Sequence, residues 1–245
     1  MNVEAPSEKK RFLIVNADDF GLSPGINRGI IHSHVHGIVT STSLIVRWPA
    51  AAEAAVCARE HPALSVGLHV DMGEWIYCDG EWQPVYEVVS PEASVEAVEG
   101  EVRRQLSIFR TLTGRDPTHI DSHQHVHRDE PLRSILQSIC ASLQIPLRHY
   151  SPGLAYCGEF YGQADKAWPN HEAIAAKNLC RILQGLPAGI TELACHPGLD
   201  EDFESVYFVE RKMEIEALCN PLVNLMIYSE NIRLCSFDEP PVKKL

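Results

Sequence analysis

The chain has 245 residues, 45% of them apolar, with 21 Lys and Arg against 33 Asp and Glu for a net charge of −12. That length and apolar content support a sizeable core and exclude a disordered chain; the acidic balance, with no basic run beyond Lys9-Lys10-Arg11 and Lys243-Lys244, excludes nucleic acid as the partner. The eight cysteines show no Cys-x-x-Cys spacing, Met1 to Lys10 is polar and reads as flexible, and no window approaches about 18 apolar residues, so a reduced cytoplasmic protein without a signal segment or membrane span is expected.

The first apolar run, Phe12-Leu13-Ile14-Val15, reads as a buried strand ending at Asn16-Ala17-Asp18-Asp19. Ser23-Pro24 then supplies an N-cap with Pro at the first helical position, and Gly37 ends that helix. Ile38 to Val46, rich in β-branched residues, reads as a second strand, Pro49 opens an Ala-rich helix to about Glu60, and Leu64 to Val70 is a third strand. A long helix is expected from Pro91, its Val95, Val98, Val102, Leu106, Phe109 and Leu112 at three-four spacing and Gly114 as its stop.

The segment Thr118 to His127 packs four of the twelve histidines and one aspartate into ten residues. Read as a fourth strand, it puts Asp121, His123, His125 and His127 on one side. Further along come a helix Pro131–Leu143, a strand Ile145–His149, an irregular stretch 150–170, and a helix His171–Gly185. A strand Ile190–Cys195, a helix Val206–Leu218, a short helix after Pro221 and a strand Ile232–Cys235 complete the list. About seven strands alternating with helices predict a parallel α/β architecture in one domain, barrel or doubly wound. The loops 71–90 and 150–170 are long for such a fold, and connections of that length usually carry function.

A row of imidazoles on one face is costly to bury without partners, and a divalent metal is the simplest partner. Asp18-Asp19 lies at a strand end running into Phe20-Gly21, where the backbone can turn to aim both carboxylates at one cleft. One could hold a metal while the other accepts a proton; a solvated turn would use the same residues. His69 closes the third strand after Gly67, whose missing side chain admits a close neighbour. His196 closes another strand in Cys195-His196-Pro197-Gly198. Strand C-terminal ends converge on one face of a parallel barrel, where active sites sit. An Asp with two His suits Zn²⁺, Mn²⁺ or Mg²⁺ with open positions. Asp121 could orient a ligand imidazole or cap a strand end. His32, His34 and His36 fall in the last turns of the first helix, where the helix dipole accounts for them.

Leu13 to Ser23, Gly37-Ile38-Val39-Thr40-Ser41-Thr42, Gly67-Leu68-His69, Pro117 to His127 and Cys195 to Gly198, in this order and spacing, resemble the YdjC-like carbohydrate deacetylases. That family includes chito-oligosaccharide deacetylases. The resemblance spans about residues 12–200 and implies a distorted (β/α) barrel of the polysaccharide-deacetylase type with about seven parallel strands. It implies one divalent metal ion, Mg²⁺ or Zn²⁺, held by Asp19, His69 and His123, with Asp18 as base and His196 as acid. Strand alternation by itself does not separate His123 from His125 or His127. The implied reaction is hydrolysis of an N-acetyl group on an amino sugar, free or within a glycan or glycolipid; a homodimer is compatible with it. After His69 the chain departs from the chito-oligosaccharide branch with the acidic, aromatic run Val70-Asp71-Met72-Gly73-Glu74-Trp75. The loop that follows carries Trp75, Tyr77, Trp82 and Tyr86 and is expected to select the sugar. Trp75, Trp82, His125 and His127 are assigned to substrate contact. The alternatives are another barrel metallohydrolase (a phosphoesterase or cyclic-amide hydrolase), whose first strand usually opens with His-x-His, and a non-catalytic metal- or sugar-binding partner protein.

Overall fold

A computed structural model describes residues 10–78, 80–90, 92–164, 168–199, 202, 205 and 207–239. The expectations placed on residues 1–9, Pro91, Val206 and Lys243-Lys244 lie outside the described residues. The first apolar run extends further than its hydrophobicity suggests. Strand β1 is Arg11–Phe20, with its last eight residues buried, Asp18 and Asp19 included. It is the central strand of a curled parallel sheet in the order β6-β3-β2-β1-β8-β7, with β9 also paired to β1. Those strands are β2 (Ser41–Leu44), β3 (Ser65–Val70), β6 (Ile120–Ser122), β7 (Leu154–Cys157), β8 (Gly189–Cys195) and β9 (Ile232–Leu234). The seven parallel strands agree with the expected barrel type, but the sheet does not close between β6 and β7 among the described residues.

The connecting helices follow the capping signals. In α1 (Pro24–His36), Ser23 Oγ accepts from the Ile26 N–H at 3.1 Å, and Pro24 occupies the first turn. In α3 (Val95–Thr113), Ser94 caps the start and Gly114 ends the helix at φ 73°, the left-handed conformation that favours glycine. Its Val98, Val102, Leu106 and Phe109 are buried against the sheet. The other helices are α2 (Ala51–Glu60), α4 (Leu132–Leu143), α5 (Ala176–Gly185), α6 (Phe208–Leu218) and α7 (Pro221–Ser229). No described helix is long and apolar enough to cross a membrane, and all eight cysteines are free thiols.

Four elements differ from the sequence reading. The helix expected over His171–Gly185 starts only at Ala176, after a 3₁₀ turn at His171–Ile174 and an extended Ala175. The histidine segment is a strand only over Ile120–Ser122. His123–Arg128 winds into a 3₁₀ turn in which Gln124 and His125 have left-handed φ of 50° and 55°. Period-two alternation therefore does not sort His123, His125 and His127. Ile145 to His149 is not a strand: Leu147 makes one parallel bridge to Ile120, and the strand comes later, as β7, inside the stretch expected to be irregular. The 71–90 loop is an antiparallel hairpin of β4 (Gly73–Cys78) and β5 (Glu81–Glu87), separate from the parallel sheet.

Candidate active site

The site starts from an irregularity in β1. The β1–β2 register shifts between Ala17 and Phe20, a bulge that bends the strand and re-aims its side chains. Asp19 has φ 69° and Gly21 φ 92°. A side chain at Gly21 would sit 2.7 Å from the Ile45 carbonyl oxygen, so the turn needs glycine there. Adjacent carboxylates that an ideal strand would send to opposite faces thus both line one cavity of about 1020 Å³.

Register brings the other groups in. Ala17 of β1 is level with Cys195 of β8, so the next residues, Asp18 and His196, are neighbours, with His196 Nε2 3.9 Å from Asp18 Oδ2. His69 of β3 is level with Asp121 of β6. The ionised Asp121 accepts from His69 Nδ1 at 2.7 Å, leaving His69 Nε2 3.5 Å from Asp19 Oδ1. His123, first residue of the 3₁₀ turn, places Nδ1 3.2 Å from the same oxygen. Asp19, His69 and His123 each offer a ligand atom within 4.8 Å of the others.

These residues fit a divalent ion. The set is one carboxylate and two imidazoles, and the second His69 nitrogen is fixed by a carboxylate, the usual support for a ligating histidine. Burial opposes the charged His123 ring, but Asp19 and Glu74 outweigh it and hold its pKa up at about 10. Burial likewise raises the Asp19 pKa, but Arg211, His123 and His69 outweigh it and hold the carboxyl well below the usual range.

Behind the carboxylates lies a charge cluster that the sequence reading did not find. Arg148 is fully buried. It reaches Asp18 with two arms at 2.6 and 2.7 Å, Asp121 at 2.6 Å and Glu192 at 2.7 Å, tying β1, β6 and β8 together. Burial would raise the Asp18 pKa, but the guanidinium reverses this and keeps it ionised. Glu192 is pushed up by burial to about 7. From α6, Arg211 donates to Asp19 Oδ2 at 2.6 Å. Glu214 accepts from the His196 backbone N–H and lies 3.8 Å from His196 Nδ1. The available signals were Arg148-His149 ending a short apolar run, and Arg211 and Glu214 on the same helical stripe as Ile215 and Leu218.

The remaining candidates divide. Trp75 and Trp82 of the hairpin, and His125, line the cavity, while His127 is fully buried and does not line it. Tyr86 faces inward: its hydroxyl donates to Asp71 at 3.1 Å and its ring meets Trp48 edge-on at 5.5 Å, so it anchors the hairpin. Gln124 of the 3₁₀ turn bonds both the N–H and the carbonyl of Trp75, at 3.0 and 2.8 Å. His119 leaves the site altogether: it stacks on Phe237 at 3.8 Å and occupies the space a side chain at Gly67 would need. In α1, His34 bonds the Val39 carbonyl at 2.8 Å, a helix-end role.

Residues 12–228 match the family model described as YdjC-like protein. The chain belongs to the YdjC-like family. It is 31% identical to a chitooligosaccharide deacetylase of Serratia marcescens, over 94% of this chain and 99% of that protein. It is 30% identical to a carbohydrate deacetylase of Geobacillus stearothermophilus, over 94% and 98%. Among solved structures, an Enterococcus faecalis protein titled as a candidate cellobiose-phosphate cleavage protein superposes with TM-score 0.74 at 25% identity, covering 94% of this chain and 98% of that one. A family 4 carbohydrate esterase from Streptomyces lividans in complex with acetate superposes with TM-score 0.55 at 12% identity, over 94% and 93%, a likeness of fold.

Proposed function

We propose that this protein is a metal-dependent hydrolase that removes an N-acetyl group from an amino-sugar-containing substrate. The observation that carries the reading is the placement of Asp18 and His196 side by side at the rim of the Asp19–His69–His123 cluster, in one cavity. The relatives named as chitooligosaccharide and carbohydrate deacetylases over nearly their whole length support the same chemistry. A divalent ion on Asp19, His69 and His123 supplies Lewis-acid polarisation of the amide carbonyl and acidifies water.

The chain's own groups do the rest. Asp18, clamped by Arg148 and kept ionised, takes a proton from the attacking water as its oxygen bonds to the acyl carbon. The clamp fixes the direction of the carboxylate, so no reorientation is needed when the proton moves. His196, held between Asp18 and Glu214, presents Nε2 to the cavity and gives a proton to the leaving amine nitrogen as the C–N bond breaks. Acetate and the free amino sugar are the products. Tyr161 and Tyr207, whose rings each lie 5.4 Å from His196, wall its far side. On the hairpin side Trp75 and Trp82 offer flat faces for pyranose rings.

The test is acetate release from a panel of N-acetylated sugars, including chito-oligosaccharides and single N-acetylated amino sugars, before and after chelation. Acetate production that is lost on chelation and restored by a divalent ion is expected. No acetate from any N-acetylated sugar, or turnover untouched by chelation, would overturn the proposal.

A further inference from the structure

Beside the Asp19 cluster, three other histidines converge. One ring nitrogen each from His125, His127 and His149 lies within 4.8 Å of the others. Ring centroids are 5.4 to 5.8 Å apart. Each ring keeps a buried nitrogen with no hydrogen-bond partner: Nδ1 of His125, Nε2 of His127 and Nε2 of His149. Buried polar atoms in folded proteins are nearly always satisfied, so three adjacent orphans mark a missing partner common to all three.

The other nitrogens show how two of the rings are held. His127, fully buried, bonds Ser122 Oγ through Nδ1 at 2.7 Å. His125 Nε2 meets the Tyr156 hydroxyl at 3.2 Å. Such outer contacts fix which ring nitrogen is left for a ligand. His125 and His149 both sit at left-handed φ, 55° and 70°, a conformation uncommon outside glycine, and both rings lie against that of His127, at 5.8 and 5.4 Å. The neighbouring Arg148 guanidinium does not make the place hostile to a cation, because Asp18, Asp121 and Glu192 surround it at 2.6 to 2.7 Å.

We infer that His125, His127 and His149 form a second metal site, for one transition-metal dication of the zinc class. Three imidazoles and no carboxylate select borderline ions such as Zn²⁺ and Co²⁺ over Mg²⁺, which prefers oxygen. The ion would pin the 3₁₀ turn. That turn carries His123 of the first cluster and Gln124, which holds Trp75 of the hairpin. The inference stands independently of the proposed deacetylation.

The test is titration of the metal-free full-length protein with Co²⁺ alone, read by visible absorption and elemental analysis. Asp19→Asn, which disables the first cluster, is expected to bind one Co²⁺ with the intense d–d bands of low-coordinate imidazole ligation. Adding His149→Gln or His127→Gln to it should abolish that binding while circular dichroism shows a folded chain. No stoichiometric Co²⁺ in Asp19→Asn, or equal uptake by the double variants, would overturn the site. Anomalous diffraction at the zinc edge from wild-type crystals grown with Zn²⁺ needs no variant. A peak among the three rings supports the site, and a peak at Asp19–His69–His123 alone overturns it. A wild type binding its ion only among the three rings would keep this inference and sink the metal assignment above.

Discussion

Arg148 and Asp18 face each other through two parallel hydrogen bonds, Nη1 to Oδ2 at 2.6 Å and Nη2 to Oδ1 at 2.7 Å, with both residues out of contact with solvent. The pair joins the segment after β6 to the end of the central strand. Removing one member of a buried pair strands the other's charge, at about 3–5 kcal/mol. Arg148→Gln, which abandons Asp121 and Glu192 as well, should lower unfolding free energy by at least that range in denaturant titration. Arg148→Lys should fall between, since an ammonium lacks the fork that spans both Asp18 oxygens. Equal stability of wild type and Arg148→Gln would show that the cluster is not the structural tie between β1, β6 and β8.

Asp18 and Asp19 should separate in their effects although they are adjacent. Asp19→Asn and His123→Ala should lose the catalytic ion. Asp18→Asn should keep it yet reduce turnover by about 10²-fold or more, the loss expected for a general base. His196→Ala should also keep the ion. Metal content by elemental analysis beside acetate release makes the comparison. An ion lost equally from Asp18→Asn and Asp19→Asn would make both ligands, and an ion lost from His196→Ala would end its role as acid.

Asp121 should act through His69. Its carboxylate bonds His69 Nδ1 at 2.7 Å, so Asp121→Asn frees the ring to turn and makes Nε2 a poorer ligand. A 10–100-fold loss of metal affinity is typical of losing such a support. Saturating metal should then restore much of the turnover, which separates weakened binding from lost chemistry.

Binding of the ion should release protons. The metal-free His123 carries a pKa raised to about 10, the carboxylates of Asp19 and Glu74 outweighing burial. Below that pH an ion must displace the His123 proton, so affinity should climb as pH rises toward it. Calorimetry in buffers of different ionisation enthalpy should give different apparent heats near neutrality; buffer-independent heats would contradict the assignment. The sign for the metal-free fold is opposite. A folded pKa above the ordinary 6.5 gives stability that is complete below 6.5 and disappears as pH rises through about 10.

The hairpin aromatics should divide by the direction they face. Trp82 is 64% exposed and borders the cavity, so Trp82→Ala should lower kcat/KM by about tenfold, the scale of one aromatic contact, with little change in melting temperature. Tyr86→Phe removes the bond to Asp71 and should cost about 1.5–3 kcal/mol of stability, as for a hydrogen bond to a charged group, with activity per folded molecule retained. The reverse pattern would place sugar selection elsewhere, such as the 150–170 stretch.

The bounds of α1 and α3 are legible in the sequence, because caps and stops are local: Ser23-Pro24, Ser94 and Gly114 act within one turn of their own position. The sequence by itself also determined that Asp18, Asp19, His69 and His196 close parallel strands, since apolar runs and strand ends are read along the chain. Tertiary structure alone decided how the histidine segment divides. Three residues of strand followed by a left-handed turn send His119 to Phe237, His123 to Asp19, and His125 and His127 to His149, a partition no alternation rule contains because it depends on where the sheet stops. The bulge that turns Asp18 and Asp19 to one side, and the partners Arg148, Arg211 and Glu214, were equally out of reach. Their charges are satisfied by residues up to 192 positions away, and burial of a charge becomes legible only once its counter-charges are in place.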